Sequence, residues 1–306
     1  RGVEPVAIDM NWPALIPEVK PTVILSVPLI LEKIYKKMIQ PQLSRTAVSW
    51  VLKMPLLDKV VLNKIREKLM EAFGGEFSQI IIGGAPLNAE VEAFLRRIKF
   101  PITIGYGMTE TAPLISFTPW TEFRSQSCGQ VLRGFMEARI SNPDADGVGE
   151  IQVRGENVMM GYYKNEQATK ESFTEDGWLR TGDLGTIDED GFIYIKGRCK
   201  TMLLGPSGQN IYPEEIEAKI NNMPYVLESL VLQKEDARLV ALVCPDFEAV
   251  DADKLTQEQL EVAMEENRKL VNQQLAAYEQ VNVFKLYPHE FEKTPKKSIK
   301  RFLYEA

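Results

Sequence analysis

Through the first hundred residues, short apolar runs alternate with helical spacings. Thr22-Val-Ile-Leu-Ser-Val27 predicts a strand, and a helix follows Pro28. Leu57, Val61, Ile65 and Leu69 predict the inward face of another helix, and Ile80-Ile-Ile82 a second strand. A further helix begins at Asn88, a good N-cap residue, and turns Val91, Phe94, Leu95 and Ile98 inward before the apolar run Ile102-Thr-Ile104. Strands that alternate with helices favour a parallel sheet, whose ligands sit beyond the carboxyl ends of the strands. Two glycine loops fall there, Gly83-Gly-Ala-Pro86 and Gly105-Tyr-Gly-Met-Thr-Glu-Thr111.

From about Cys128 to Lys196 the texture changes to short strands parted by turn residues, at Asn142 to Gly147, at Asp176-Gly177 and at Asp188 to Gly191. This predicts an antiparallel, β-barrel-like unit, with a hairpin at Asp190-Gly191. Beyond Gly197 a third texture predicts a small α+β domain. It has a helix from Pro213, a hairpin around Glu235-Asp236, an amphipathic helix from about Thr256 to Glu279 and a strand from Val281 to Leu286. The long helix carries Leu260, Met264, Val271 and Leu275 as one apolar stripe, read as core. The expected fold class is therefore α/β plus a β-barrel-like unit plus a small α+β carboxyl-terminal domain. The boundaries expected are 1–125, 126–198 and 199–306.

With 306 residues, 44% of them hydrophobic, the chain can bury a sizeable core. A net charge of −7 argues against nucleic acid as a partner. Cys128, Cys199 and Cys244 are far apart, which predicts neither a disulfide framework nor a thiolate metal site and suits a reducing, cytoplasmic setting. The single histidine, His289, reads as a surface residue. The longest apolar stretch, Val23 to Ile34, is interrupted by Pro28 and Glu32, so no membrane span is expected; transient contact with a membrane surface stays open.

The chemistry-bearing residues lie mostly in loops. Glycines in the two strand-end loops allow close approach of a flat or phosphorylated ligand, Tyr106 offers a ring, Thr109 and Thr111 offer hydroxyls, and Glu110 is a hard oxygen donor suited to Mg²⁺. Asp176-Gly-Trp-Leu-Arg-Thr-Gly-Asp183 puts a carboxylate after a tight Thr-Gly turn, where it can accept from ribose hydroxyls. Gly197-Arg-Cys-Lys200 stands where the second texture ends and the third begins, the place for a hinge.

Tyr-Gly-Met-Thr-Glu-Thr, Arg-Thr-Gly-Asp, Gly-Arg-x-Lys and Asn210-Ile-Tyr-Pro-Glu-Glu-Ile-Glu217 occur in this order at the spacing of the adenylate-forming ligases. The chain resembles the carboxyl-terminal half of an AMP-forming long-chain acyl-CoA synthetase. The resemblance implies ATP, a fatty acid and CoA as substrates, AMP and pyrophosphate as products, and Mg²⁺. It implies that Gly83, Gly84, Ala85 and Pro86 line an adenine pocket, that Tyr106 stacks on adenine with Gly107 and Met108 beside it, and that Thr109 contacts the α-phosphate. Glu110 would hold Mg²⁺, Asp183 the ribose hydroxyls and Arg198 ribose or phosphate. Lys200 would be the hinge, and Gly208 would border the thioester-forming site.

Two departures stand out. No Ser/Thr/Gly-rich loop ending in Pro-Lys is present, which leads us to expect an upstream amino-terminal part of the same polypeptide and an inactive isolated chain. The carboxyl-terminal motif reads Thr294-Pro-Lys-Lys-Ser-Ile-Lys-Arg301, with Ser298 in the slot of the adenylation lysine; Lys297 is the nearest replacement. Two other readings stay open: a non-catalytic nucleotide- or acyl-binding relative, and an adenylation domain that loads a carrier-protein thiol.

Overall fold

The computed structural model describes residues 16, 18–43, 54, 57–294 and 299–305. The chain folds as two compact units. One holds the described residues up to Met136 together with Glu156–Met159 and Glu189–Ile193; the other holds Glu137–Gly155, Met160–Asp188 and the chain from Tyr194 onward.

In the first unit, strand β1 (Val23–Ser26) leads into helix α1 (Pro28–Ile34), which continues through a wider turn at Tyr35–Ile39 into α2 (Gln40–Leu43). Pro28 at the first turn suits the helix start, because the N–H it lacks would be unbonded there in any case. Helix α3 (Leu57–Ala72), strand β2 (Gln79–Ile82), helix α4 (Ala89–Arg97) and strand β3 (Ile102–Ile104) follow. The strands form the expected parallel sheet in the order β1-β2-β3. Asn88 caps α4, its Oδ1 accepting from Glu90 N at 2.9 Å and Val91 N at 3.3 Å. Ile80 and Ile82 are fully buried, and the rings of Phe73, Phe77 and Phe100 lie 5.7 to 6.0 Å apart beside them in the core.

The inward face of α3 differs from the expected one. Leu62 and Leu69 are buried and Ile65 packs beside them, whereas Leu57 is 49% exposed. A spacing of four residues advances about 400° around a helix, so three such steps from Leu57 to Leu69 drift roughly 120° off the face.

Strands β4 (Tyr106–Gly107) and β5 (Leu114–Ser116) pair as a short antiparallel ribbon in the same unit. The segment Glu189–Ile193 also belongs to it: Cys128 N donates to Ile193 O at 2.7 Å, and the Arg124 guanidinium lies 3.9 Å from the centre of the Phe192 ring.

The second unit contains all but the end residues Met136 and Ile193 of a four-stranded sheet ordered β6 (Met136–Ser141), β7 (Gly149–Gly155), β8 (Leu179–Ile187), β9 (Ile193–Arg198), with helix α5 (Glu166–Ser172) between β7 and β8 in sequence. Strands β10 (Leu203–Leu204) and β11 (Asn210–Ile211) form a small hairpin, followed by helix α6 (Pro213–Ile220). A three-stranded sheet, β12 (Val226–Gln233), β13 (Leu239–Pro245) and β14 (Val281–Leu286), carries helices α7 (Phe247–Ala252) and α8 (Gln257–Asn272).

Every residue of β13, the central strand, is buried, because this strand is covered on both sides. Ala241 and Val243 face the core formed with α6 and α8, while Leu242 and Cys244 face Leu230 and Phe291 on the other side. Burial pushes the Cys244 thiol up to about 11, and all three cysteines are free thiols.

Helix α8 buries Leu260, Met264 and Val271 as expected but stops at Asn272 instead of running to Glu279. The Asn272 side chain explains the stop: it donates to Val281 O and accepts from Val281 N, both at 2.9 Å, tying the helix end to β14. Asn267 lies in the same stripe, buried, and donates to Pro224 O at 2.8 Å. His289 is exposed. Among the described residues no helix is long and apolar enough to cross a membrane.

Candidate functional site

The first unit brings the two glycine loops side by side. Gly83 N donates to Ser26 O at 3.1 Å and Gly105 N to Ile82 O at 2.9 Å, so each loop leaves its sheet at the carboxyl end of a parallel strand. A methyl group on Gly83 would lie 3.5 Å from Gly105 O. Gly84, at φ +87°, Ala85 and Pro86 are exposed.

In the second loop Gly107 is required sterically, since a Cβ there would fall 1.8 Å from Pro113 O across the β4–β5 ribbon. Thr109 is exposed, Met108 and Glu110 are half-buried, and Tyr106 is buried at 7% exposure.

Thr111 does not supply a ligand hydroxyl. Its Oγ1 is buried and consumed by the backbone, lying 3.0 Å from Met108 O, 3.1 Å from Pro113 O and 3.2 Å from Met108 N. Asn157 also shapes this loop: its Nδ2 donates to Thr111 O at 2.6 Å and Leu114 O at 2.8 Å, while Met159 N donates to Glu110 O at 2.8 Å. Nothing in the sequence near Asn157 signals that role, because both of its contacts are to main-chain carbonyls more than forty residues away.

In the second unit the expected Thr-Gly turn is a bulge within β8. Glu150 pairs with Leu184 but Gln152 with Arg180, so the longer stretch of β8 loops outward at Gly182, where φ is +70°. Thr181 Oγ1 donates to Ile151 O at 2.7 Å and accepts from Asp183 N at 3.1 Å. The bulge turns the Gly182 carbonyl toward Cys199 N, 2.9 Å away. Asp183 and Arg198 are thereby brought together, with Arg198 Nε 2.9 Å from Asp183 Oδ1; the carboxylate is buried and the guanidinium exposed.

Lys200 is exposed in the turn that follows, where Met202 N donates to Arg198 O at 3.0 Å. Two further bonds lie close to it in sequence: Lys196 to Glu215 at 3.0 Å and Thr201 to Glu214 at 2.7 Å. Gly208 sits exposed in the turn between β10 and β11, at φ +82°. Partial desolvation raises the Cys199 pKa, with Glu150 and Asp183 adding to the effect, so this thiol, although its residue reaches the surface, is not an activated nucleophile. Lys297 and Ser298 lie outside the described residues.

Among the described residues no group of three or more His, Cys, Asp or Glu side chains has the geometry of a metal site. Glu110, half-buried, carries a carboxylate, a hard oxygen donor of the type divalent cations take.

A sequence profile described as AMP-binding enzyme matches residues 3–163, more than half of the chain. The chain belongs to the AMP-binding enzyme family. This AMP-binding enzyme is 31% identical to a long-chain-fatty-acid–CoA ligase of Mycobacterium bovis, over 92% of the chain and 52% of that relative. It is 32% identical to a long-chain-fatty-acid–CoA ligase of Gallus gallus, over 74% of the chain and 32% of the relative.

The AMP-binding enzyme also superposes on the ATP-bound MatB of Rhodopseudomonas palustris with a TM-score of 0.68 and 26% identity, covering 95% of this chain and 52% of that one. The adenylation domain of a carboxylate reductase from Mycobacterium chelonae superposes with a TM-score of 0.78 at 22% identity, over 96% of this chain and 46% of that one, a likeness of fold. The fold is that of the adenylate-forming ligases, and the chain spans about half the length of the relatives it matches most extensively.

Proposed function

We propose that the chain carries part of the machinery by which a fatty acid is activated through an acyl-AMP intermediate and transferred to CoA. The observation that carries this reading is the identity to long-chain-fatty-acid–CoA ligases along 92% of the chain, which includes the paired glycine loops at the ends of β2 and β3.

On this reading a carboxylate oxygen of the fatty acid attacks the α-phosphorus of ATP. The bond from that phosphorus to the bridging oxygen breaks, and pyrophosphate leaves with its electron pair. The thiolate of CoA then attacks the acyl carbonyl, AMP departs, and the thiol proton passes to solvent.

Gly83 to Pro86 would line the adenine pocket, with Tyr106 turning a ring face to the base and Gly107 and Met108 at its edge. Thr109 would hold the α-phosphate. Glu110 would hold Mg²⁺, which when bound offsets the charge that builds on the phosphates. Asp183, already poised beside Arg198, would accept from the ribose hydroxyls, exchanging one partner for another without leaving a buried carboxylate unpaired. Lys297 would bridge the fatty carboxylate and the α-phosphate. The part from Lys200 onward would turn as a small domain, bringing Gly208 to the thioester-forming site.

The chain contains no Ser/Thr/Gly-rich loop ending in Pro-Lys, and on this reading it does not adenylate by itself. The test is fatty-acid-dependent ATP–pyrophosphate exchange by the whole enzyme, with acids of increasing length. Exchange with an optimum among long chains supports the reading. Bound nucleotide with no exchange for any acid overturns it in favour of a binding relative, the outcome that Ser298 would explain.

A further inference from the structure

The segment Glu156–Met159 belongs to the first unit, although β7 before it and Met160 after it belong to the second. Within these four residues the chain bonds the loop between β4 and β5 at several carbonyls. Met159 N donates to Glu110 O at 2.8 Å, and Asn157 Nδ2 donates to Thr111 O at 2.6 Å and to Leu114 O at 2.8 Å.

The loop needs donors from elsewhere. Thr109–Thr111 forms one short helical turn, and the carbonyls at the end of a helix have no partner within it. Ala112, which follows at φ +49°, reaches back only to Thr109 O, at 3.4 Å. Glu110 O and Thr111 O are instead satisfied by Met159 N and Asn157 Nδ2, from a segment more than forty residues further along the chain.

Asn157 does more than cap this turn. By holding Thr111 O and Leu114 O with one amide it joins the end of the turn to the start of β5. From inside the turn, Thr111 Oγ1 donates to Met108 O and Pro113 O, at 3.0 and 3.1 Å. The path from Met108 to Leu114 is thus fixed at both ends. Thr109, exposed, and Glu110, half-buried, are carried on that path.

Stability alone explains Asn157 poorly. Both of its partners are carbonyl oxygens, so the NH₂ group and not the amide oxygen must face them. This leaves Asn157 Oδ1 buried with no hydrogen-bond partner among the described residues. A buried acceptor without a donor costs stability, and a side chain kept only to stabilise the fold would be satisfied at both ends. What the residue supplies in return is the placing of two donors on one turn.

We propose that Asn157 is a positioning residue for adenylation: by holding Thr111 O and Leu114 O it sets where Thr109 and Glu110 stand to receive the phosphates of ATP and their Mg²⁺. It acts through the loop and not on the substrate. The proposal rests on the function proposed above.

The test uses the whole enzyme and three variants. Asn157→Asp keeps the size of the side chain but sets an acceptor against two carbonyls, Asn157→Ala removes the group, and Asn157→Gln keeps the amide on a longer stem. Amide hydrogen exchange comes first, without nucleotide or metal: in the Asp and Ala variants residues 106–114 lose protection while β2 and β3 keep theirs. Fatty-acid-dependent ATP–pyrophosphate exchange then falls on the order of 10²-fold, the cost of misplacing a reacting group by about 1 Å. The Mg²⁺ concentration for half-maximal exchange rises about tenfold, as when a group that orients a metal ligand is lost, while KM for the fatty acid stays near that of the wild type.

Asn157→Gln falls between the wild type and the other two, and it decides alone where those do not fold: a raised Mg²⁺ requirement supports the proposal and a wild-type one overturns it. Wild-type loop protection and wild-type exchange in the Asp variant overturn it as well. So does an activity that falls only in step with a lowered Tm, at an unchanged Mg²⁺ requirement. A wild-type enzyme without ATP–pyrophosphate exchange overturns the functional reading and this proposal together, so the two failures are told apart.

Discussion

Glu217 combines two demands on one carboxyl. Burial pushes its pKa up to about 7, against the pull of Arg301 and of Val231 N, and the nearby Glu214 carboxylate adds to the rise. The folded-state value thus exceeds the unfolded one, so the stability this group contributes is complete below about pH 4.5 and is lost as pH rises through about 7. Denaturant midpoints measured from pH 5 to 8 should fall more steeply for the wild type than for Glu217→Gln, which cannot ionise; parallel curves would refute the assignment. A second residue-scale prediction concerns the adenylation cation. Lys297→Ala lowers ATP–pyrophosphate exchange by about 10²- to 10³-fold, the usual cost of removing one group that offsets transition-state charge. Adding Ser298→Lys to that variant restores much of it. If Lys297→Ala exchanges like the wild type, another cation fills the role.

At the scale of elements, the start of α8 can be tested by one substitution. Thr256 Oγ1 accepts from Gln259 N at 3.2 Å while Gln259 Oε1 accepts from Thr256 N at 2.8 Å, a reciprocal cap. Thr256→Ala removes half of it and costs about 1 kcal/mol, read as a lowered denaturation midpoint with an unchanged m-value.

The elements most legible in the sequence were those whose local chemistry and tertiary role agree. The apolar runs of β1, β2 and β3, the Asn88 cap and the hairpin between β12 and β13 all follow from neighbours in sequence. Where the folded setting and not the residue type decides, the local signal failed: α8 ends at Asn272 because its side chain meets Val281, and Thr111 is withdrawn from ligand chemistry by the carbonyls of Met108 and Pro113 in its own turn. The residues that the resemblance names for a site form motifs, because their spacing along the chain is characteristic. Asn157 does not, because an amide that holds two carbonyls leaves no pattern. Neither does the Glu217–Arg301 pair, whose members are 84 residues apart.

For the whole molecule the central question is whether the part beyond Arg198 turns as a body during the reaction. In this structure Lys196 bonds Glu215 at 3.0 Å, Thr201 bonds Glu214 at 2.7 Å, and Asn210 Nδ2 donates to Asp144 Oδ2 at 3.1 Å, so the β10–β11 hairpin and α6 are held to β9 and to the turn between β6 and β7. These contacts are polar and none is fully buried, so each is worth little alone and can be exchanged for others at modest cost. A core of Ile211, Ile216 and Ile220 against Val231 and Ala241 travels with α6 and does not need to be opened by such a motion. The main-chain rotation then has to be absorbed in the few residues after Arg198, where Lys200 is exposed. Lys200→Pro fixes φ at that point without removing any backbone bond described for its N–H. Steady-state acyl-CoA formation by the whole enzyme should fall about tenfold or more, roughly 1.4 kcal/mol of added barrier, while at least one half-reaction measured alone keeps most of its rate. Equal loss of both half-reactions and of the overall rate would place the damage in the site and not in a turn between two working arrangements. A variant that retains full turnover would move the pivot away from Lys200.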